Sequence, residues 1–242
     1  MILDIAWPIA LLCVLMVFLG AVVQGTLGIG LGMIASPMLA LADRDFIPAA
    51  VLIAVIPLSF GVALRERAEI DKRGAGLALL GRIPGVIVGA AAVAWMGPRF
   101  LAVLVGVSVL LAVAASLANV RFHPSDRAIF TAGLASGFTG TTTGVGGPPM
   151  ALTYQHSDPA VMRSTISAFF TVGSIMSIAA LIVSGALGTR QWQLAGLILP
   201  GVIVGFLVSQ RYAHILRDDR ARVAILAICA ASAIALLVEE FT

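Results

Sequence analysis

One stretch limits what this chain can fold into more than any other, and it lies at residues 137–149. It reads GFTGTTTGVGGPP and sits within a charge-free run at residues 128–157. Glycine and proline at this density cannot continue a regular helix. At membrane depth, backbone without helical hydrogen bonds survives only where protein or a watery cavity satisfies it. The stretch therefore predicts a broken segment at a functional site. The alternative is a tight helix crossing, where small residues let two backbones touch.

The composition indicates a membrane protein that crosses the bilayer several times. Hydrophobic residues make up 60% of the chain and charged residues 11%, and the mean hydropathy is +1.06. An ordinary soluble domain has about 25% charged residues. Both cysteines lie in apolar runs, so no disulfide framework is expected. Asp4 is the only charge before the first apolar run, which indicates a retained span and not a cleaved signal.

Charge-free runs divide the chain into membrane segments. A helix that crosses the hydrocarbon core needs about 20 apolar residues. Two glycine-rich runs, at residues 5–42 and 128–157, are long enough to enter the membrane and return. The remaining runs hold one helix each and lie at residues 46–64, 74–98 (interrupted by Arg82), 100–120, 164–189, 191–210 and 223–238.

Internal matches indicate a duplication. A weaker copy of the glycine-rich stretch, QGTLGIGLG, begins at Gln24, and a shift of 112 places Gly28 on Gly140 and Gly32 on Gly144. The hexapeptide PGVIVG occurs at residues 84–89 and again at 200–205. We therefore expect an all-α membrane protein of two repeats, residues 1–122 and 123–242, which together form one transport domain. Each repeat contains a glycine-broken hairpin, re-entrant or fully spanning, followed by three transmembrane helices.

Basic residues predict the orientation of these segments. Of the fifteen lysines and arginines, eleven fall on one predicted side and three on the other, and Arg82 lies within a span. The positive-inside rule places the rich side in the cytoplasm and both termini in the periplasm. Five segments per repeat is an odd number, so the repeats are predicted to be inverted. The rich side carries Arg65, Arg67, Lys72, Arg73, Arg121, Arg127, Arg163, Arg211, Arg217, Arg220 and Arg222, and the other carries Arg44, Arg99 and Arg190.

Broken segments at matching positions of inverted repeats indicate a transporter site near the membrane midplane. A helix that begins inside the membrane presents unpaired N–H groups and a positive dipole end, both of which attract anions. Pro148 and Pro149 suit the first turn of such a helix. Any single threonine could instead bond a local carbonyl. The candidate anion-binding residues in the two broken segments are Gln24, Gly25, Thr26, Gly28, Gly32, Ser36, Thr139, Gly140, Thr141, Thr142, Thr143, Gly144, Gly146 and Gly147.

Arg82 is also a candidate substrate-binding residue, because an ionisable side chain within a span is a functional candidate by default. The alternative is that it extends to the membrane interface. All twelve acidic residues lie in loops or at the ends of the chain, so coupling through a buried carboxylate is not expected. The sequence contains no P-loop, zinc motif, paired-acid site or catalytic triad. We therefore expect no enzymatic activity, no cofactor and no metal site.

At these residues the chain resembles the sulfite exporter TauE/SafE family, also called the toluene sulfonate uptake permease family. The resemblance covers nearly the whole chain and rests on residues 137–148, their N-terminal copy and the two PGVIVG helices. The first copy departs from the family pattern, with Leu31 and Met33 where a longer glycine run is usual. The resemblance implies transport of sulfite, sulfoacetate, another organosulfonate or a related sulfur-containing anion across the bacterial inner membrane. It leaves the direction of transport open.

The expected partners are a small anionic substrate and the lipid bilayer. No nucleic acid is expected, since topology explains the basic residues, and homo-oligomerisation stays open. Two other classes of function also stay open. One is a passive anion channel, favoured by the missing carboxylates. The other is a membrane subunit that anchors a soluble partner through the basic loop at residues 65–73.

Overall fold

The computed structural model describes residues 3–117, 125–212 and 219–242, together with the side chains of these ranges except 212 and 219–222. The predicted repeat boundary and the predictions for Arg121, Arg217, Arg220 and Arg222 lie outside this description. Within it, all regular structure is helical. The α-helices are α1 (Trp7–Leu27), α2 (Leu31–Ala42), α3 (Ala49–Arg65), α4 (Lys72–Trp95), α5 (Pro98–Leu117), α6 (Asp126–Thr143), α7 (Gly147–Tyr154), α8 (Pro159–Val183), α9 (Thr189–Tyr212) and α10 (Asp219–Phe241).

Six helices of the described chain are long and apolar enough to cross a membrane: α1, α4, α5, α8, α9 and α10. The prediction of an all-α membrane protein is confirmed. The set of spanning helices differs in one member from the sequence prediction. Helix α3 has only 17 residues, because it begins after Pro48 and ends at Arg65. Helix α1, the first arm of a glycine-broken hairpin, has 21 residues and reaches spanning length.

Helices α1 and α2 form hairpin 1, and both ends of this hairpin attach to the first turn of α9. Nη2 of Arg190 lies 2.5 Å from a carboxylate oxygen of Asp43, which follows α2, and Nη1 lies 3.6 Å from Asp4, which precedes α1. At the same end of the bundle, Arg44 and Arg99 both pair with Glu240 near the end of α10. We call this end B. It contains the three arginines predicted for the basic-poor side.

Helices α6 and α7 form hairpin 2, and both of its ends attach near the start of α4. Arg73 pairs with Asp126 at the start of α6, with a nitrogen–oxygen distance of 2.6 Å. The hydroxyl of Tyr154, the last residue of α7, donates to Asp71 at 2.9 Å. We call this end A. The 24 residues of α4 rise about 36 Å from end A to end B. The two hairpins therefore open at opposite ends of the bundle.

The repeated PGVIVG hexapeptide performs the same packing task twice. Its first copy, on α4, places Gly85 against the backbone of α6, where a Cβ would overlap the carbonyl oxygen of Leu134. Its second copy, on α9, places Gly205 against α1, where a Cβ would lie 2.6 Å from the carbonyl oxygen of Phe18. Such close approach is how small residues pack membrane helices. Helices α3 and α8 pack on each other, and each also packs on one of these pairs, α3 on α9 and α8 on α4.

Candidate functional site

Each hairpin reverses at a glycine in the left-handed backbone region. Helix α1 is followed by Gly28 with φ of 86°, and helix α6 by Gly144 with φ of 74°. In both, the N–H of that glycine donates to the carbonyl four residues earlier, a helix ending that favours glycine because a Cβ is strained there. The new helices α2 and α7 then begin after Gly30 and Gly146. Pro148 and Pro149 occupy the first turn of α7, as the sequence predicts.

The register between the two hairpins differs from the sequence alignment by one helical turn. A shift of 112 pairs Gly28 with Gly140, but the structure gives Gly28 and Gly144 the same backbone role. Gly30 and Gly146 likewise share the position before the new helix. The alignment of Gly28 with Gly140 and of Gly32 with Gly144 is therefore wrong. Glycines repeat every four residues in this stretch, so identity alone also matches a register that is one turn away.

The tips of the two hairpins touch inside the bundle. A Cβ at Gly32 would overlap the carbonyl oxygen of Gly144, and a Cβ at Gly147 would lie 3.2 Å from Cγ2 of Ile29. Helix α7 has 8 residues between this contact and end A, and α2 has 12 residues between it and end B. At 1.5 Å per residue, these lengths place the contact about 12 Å from end A and about 18 Å from end B. The meeting point therefore lies deep in the bundle.

A small cavity, here called the inner cavity, lies where the tips meet. Its volume is about 30 Å³, and on this scale one water needs about 10–15 Å³. The first turns of α2 and α7 both border it, and helix N-termini carry unpaired N–H groups and partial positive charge. None of the described residues that line it is acidic. The lining is Gln24, Gly30, Gly32, Met33, Leu52, Val55, Arg82, Gly140, Gly144, Val145, Gly146, Gly147, Phe170 and Ser174.

Arg82 places a guanidinium at this cavity. The side chain lies near the middle of α4 and is only 1% exposed. Nη1 lies 3.3 Å from Oγ of Ser136, Nη2 lies 3.2 Å from Oγ of Ser177, and the guanidinium carbon lies 4.9 Å from the centre of the Phe169 ring. Among the described residues, the buried Nε has no hydrogen-bond partner and no carboxylate pairs with Arg82. The alternative that Arg82 extends to the membrane interface is therefore wrong.

Glycines make the room that this guanidinium occupies. A Cβ at Gly173 of α8 would lie 2.6 Å from the guanidinium carbon. A Cβ at Gly140 would lie 3.2 Å from Nη2, and one at Gly137 would lie 3.0 Å from Cγ of Arg82. The glycines at 137 and 140 are thus explained in part by the space that a neighbouring arginine needs, and not by a solute alone.

Most threonine hydroxyls of hairpin 2 are occupied by the protein itself. The hydroxyls of Thr139, Thr142 and Thr143 each donate to a backbone carbonyl four residues earlier, at 3.0, 2.8 and 2.6 Å. Thr143 also accepts from the N–H of Val145 at 3.1 Å, so it stabilises the turn. The Thr141 hydroxyl lies 2.8 Å from that of Ser177, which places it one side chain away from Arg82. For the first three, the structure favours the alternative of local carbonyl bonding.

Of the candidate residues in hairpin 1, Gln24 and Gly32 line the cavity. Oε1 of Gln24 accepts from the N–H of Leu31 at 3.2 Å, and Nε2 donates to Ser59 of α3 at 3.0 Å. Gln24 therefore holds the first turn of α2 in place. The other hairpin 1 candidates lie outside the cavity lining. Gly25 packs on Ser209, Thr26 donates to the Val23 carbonyl, and Gly28 packs on Arg163. The buried hydroxyl of Ser36 has no hydrogen-bond partner within the described part of the chain.

Two arginines at end A hold the tip of hairpin 1. Nη1 of Arg163 donates to the carbonyl oxygen of Thr26 at 3.2 Å, and Nη2 of Arg65 donates to that of Gly25 at 3.4 Å. Glu66 joins them, because it pairs with Arg163 at 2.7 Å and with Arg65 at 2.8 Å. Cations at the last carbonyls of α1 complement the negative end of its dipole.

The serines and aromatic rings that surround Arg82 were not predicted from the sequence. Ser136, Ser174 and Ser177 are buried, as are Phe169 and Phe170. A single serine in an apolar helix is an ordinary residue, and nothing in its own neighbourhood marks it. One sequence signal for these partners was available. Gly173 and Ser174 form a pair of small residues, and Ser177 follows one turn later on α8, so this face could accept the side chain of Arg82.

A helical membrane bundle with two interrupted hairpins and a cationic cavity between them has the architecture of membrane transporters built on broken helices. The family model described as Sulfite exporter TauE/SafE matches residues 12–236. The chain belongs to this family of membrane transporters. No curated protein and no solved structure gives a significant match.

Proposed function

We propose that this protein is a secondary transporter that moves a small sulfur-containing anion across the bacterial inner membrane. Sulfite is the preferred candidate, with sulfoacetate and other small organosulfonates next. The observation that carries the proposal is the meeting of two helix N-termini and a buried guanidinium at one cavity. Family membership supports the class of substrate.

Charge is the first argument. A buried cation without a counter-ion is costly, and the cost falls when an anion binds beside it. Arg82 is buried and pairs with no described carboxylate, and its Nε lacks a partner. Two helix N-termini add partial positive charge at the same place. The negative charge of a bound oxyanion would compensate the guanidinium and both helix N-termini.

Size is the second argument. The inner cavity has a volume of about 30 Å³, which is room for roughly two or three water-sized groups. A sulfite ion fits a cavity of this size better than an aromatic sulfonate does. Planar guanidinium donors also match the oxygens of such an anion. We assign the substrate contacts to Arg82 and to the backbone N–H groups of Gly32, Gly146 and Gly147. Gln24, Gly140 and Gly144 shape the wall, since the N–H of Gly144 already donates to the carbonyl of Gly140.

The inverted repeat is part of this proposal. Two observations support it. The hairpins open at opposite ends of the bundle. In addition, α4 of the first repeat packs on α6 of the second, and α9 of the second repeat packs on α1 of the first. We propose that end A faces the cytoplasm, because it carries Arg65, Arg73 and Arg163.

The test is anion uptake by the purified protein in liposomes, with sulfite, sulfoacetate, methanesulfonate and sulfate compared. We expect saturable sulfite uptake that Arg82→Gln strongly reduces. Uptake that rises linearly without saturation would instead identify a passive channel. Copurification of a soluble protein, with no uptake by the chain alone, would identify an anchoring subunit. That alternative is weakened because Arg65 and Arg73 of the basic loop already pair within the chain.

A further inference from the structure

We propose that three cavities form one translocation pathway through the bundle, with Met33 as its size-selecting constriction and a leucine layer as its closed barrier. The inference rests on the proposed function and concerns how the solute reaches and leaves the inner cavity. It assigns roles to side chains that lie outside the glycine-rich motifs.

The first cavity lies on the end A side and is the largest of the three. Its volume is about 500 Å³, and it lies between hairpin 1, the adjoining ends of α5 and α10, and the segment that joins α7 to α8. Arg163, which lies at end A, forms part of its wall. We call this cavity the vestibule.

Two residues separate the vestibule from the inner cavity. Gly30 and Met33 line both cavities. Gly30 has no side chain, so among the residues that the structure describes Met33 is the one side chain that borders the two spaces. Met33 is 7% exposed, and methionine is unbranched and adapts its shape readily. Its movement would open a passage, and its bulk would set the largest solute that passes.

A third cavity of about 230 Å³ lies at end B and is bordered by Arg44, Ala49 and Val93. Residues from the walls of both cavities belong to one cluster of buried apolar side chains. We place this cluster between the cavities and call it the leucine layer, after Leu52 and Leu181: Ala49, Leu52, Ala90, Ile178 and Leu181. Leu52 lines the inner cavity, and Ala49, one turn earlier on α3, lines the end B cavity. The barrier is therefore about one helical turn thick.

This arrangement explains how a transporter could hold a charged solute without leaking. A narrow apolar constriction blocks ions because water and ions do not enter it. The solute would enter from end A past Met33, bind at Arg82, and leave toward end B when the leucine layer parts. Helices α3 and α8 supply most of the layer and pack on each other, so a small shift between them would open it.

Substituted cysteines test the pathway without assuming a substrate. In a background that lacks Cys13 and Cys229, we expect Met33→Cys to react with sulfonatoethyl methanethiosulfonate, a small anionic thiol reagent, added on the end A side only. Leu52→Cys should not react with reagent added on the end B side. Combining Leu52→Cys with Leu181→Ala should make it reactive from that side, because the layer is then thinned. Reaction of Leu52→Cys from end B without the Leu181→Ala change would overturn the barrier.

Transport measurements test the two roles separately. We expect Leu181→Ala to lose saturation and to leak sulfite, while Leu236→Ala, an equally buried leucine outside the three cavities, keeps saturable uptake. We expect Met33→Ala to raise the uptake of benzenesulfonate relative to sulfite. Saturable uptake by Leu181→Ala together with an unchanged benzenesulfonate ratio in Met33→Ala would overturn the assignment. If the parent protein moves no sulfur anion but the cysteine pattern holds, the pathway stands and the proposed substrate is wrong.

Discussion

The hydroxyl of Ser136 joins Arg82 to the tip of hairpin 2. It accepts from Nη1 of Arg82 at 3.3 Å and donates to the carbonyl oxygen of Gly146 at 2.5 Å. Gly146 immediately precedes α7. The buried cation and the first turn of the broken helix are thus held in one hydrogen-bonded chain, so a change at either is expected to affect the other.

Arg82→Gln should weaken sulfite binding strongly. Hydrogen bonds to charged groups contribute about 1.5–3 kcal/mol, which corresponds to an affinity loss of about 10- to 150-fold. The sulfite affinity of Arg82→Lys should lie between those of the parent and Arg82→Gln. Lysine keeps the charge but loses the planar pair of donors that reaches Ser136 and Ser177. Isothermal titration of the purified variants with sulfite measures this. Arg73→Gln, at the exposed rim of end A, is the matched control and should bind like the parent. Parent-like affinity in Arg82→Gln would move the site elsewhere.

Ser136→Ala should weaken binding while Thr142→Val does not. The alanine variant leaves Nη1 of Arg82 and the Gly146 carbonyl without their partner. A neutral hydrogen bond contributes about 0.5–1.5 kcal/mol, or about a 2- to 13-fold change in affinity. Thr142 is equally buried, but its hydroxyl bonds the Phe138 carbonyl within α6. The same titration decides between them. Equal losses in both variants would show that burial, and not the link to Arg82, matters.

How far the sequence predicts this site depends on the range of each interaction. The hairpins, the helix starts at Pro148 and the candidacy of Arg82 follow from local composition and periodicity. The partners Ser136, Ser177 and Phe169 do not, because they come from α6 and α8 and meet Arg82 only after the helices pack. The roles of Thr139 and Thr142 were undecidable in sequence, since a hydroxyl serves a carbonyl or a solute equally well. The alignment of the two repeats was wrong for a related reason. Glycines recur every four residues in both hairpins, so a shift of one helical turn also matches glycine to glycine.

Gly173→Ala should displace Arg82 and reduce both stability and binding. The added Cβ would lie 2.6 Å from the guanidinium carbon, and overpacking of this kind costs about 1–3 kcal/mol. Gly196→Ala is the matched control on α9, because its added Cβ would have no described atom within 4 Å beyond its own stretch of helix. Thermal unfolding in detergent and sulfite titration should both change for Gly173→Ala and stay at the parent values for Gly196→Ala. An unchanged melting temperature and affinity in Gly173→Ala would show that the guanidinium has other space to occupy.

The two ends of the bundle should lie on opposite sides of the membrane, with end A in the cytoplasm. In a background without Cys13 and Cys229, Glu69→Cys reports on the loop before α4 and Gly97→Cys on the turn after it. Both positions are exposed, and they lie at opposite ends of the 24-residue α4. An impermeant maleimide added to intact cells should label Gly97→Cys at once and Glu69→Cys only after the membrane is opened. The charge distribution gives the physical reason, since end A holds Arg65, Arg73 and Arg163 and a loop rich in cations is retained in the cytoplasm. Labelling of both cysteines from outside would contradict the crossing of α4. Labelling of Glu69→Cys alone would keep the fold and reverse the orientation, so that the vestibule would face the periplasm.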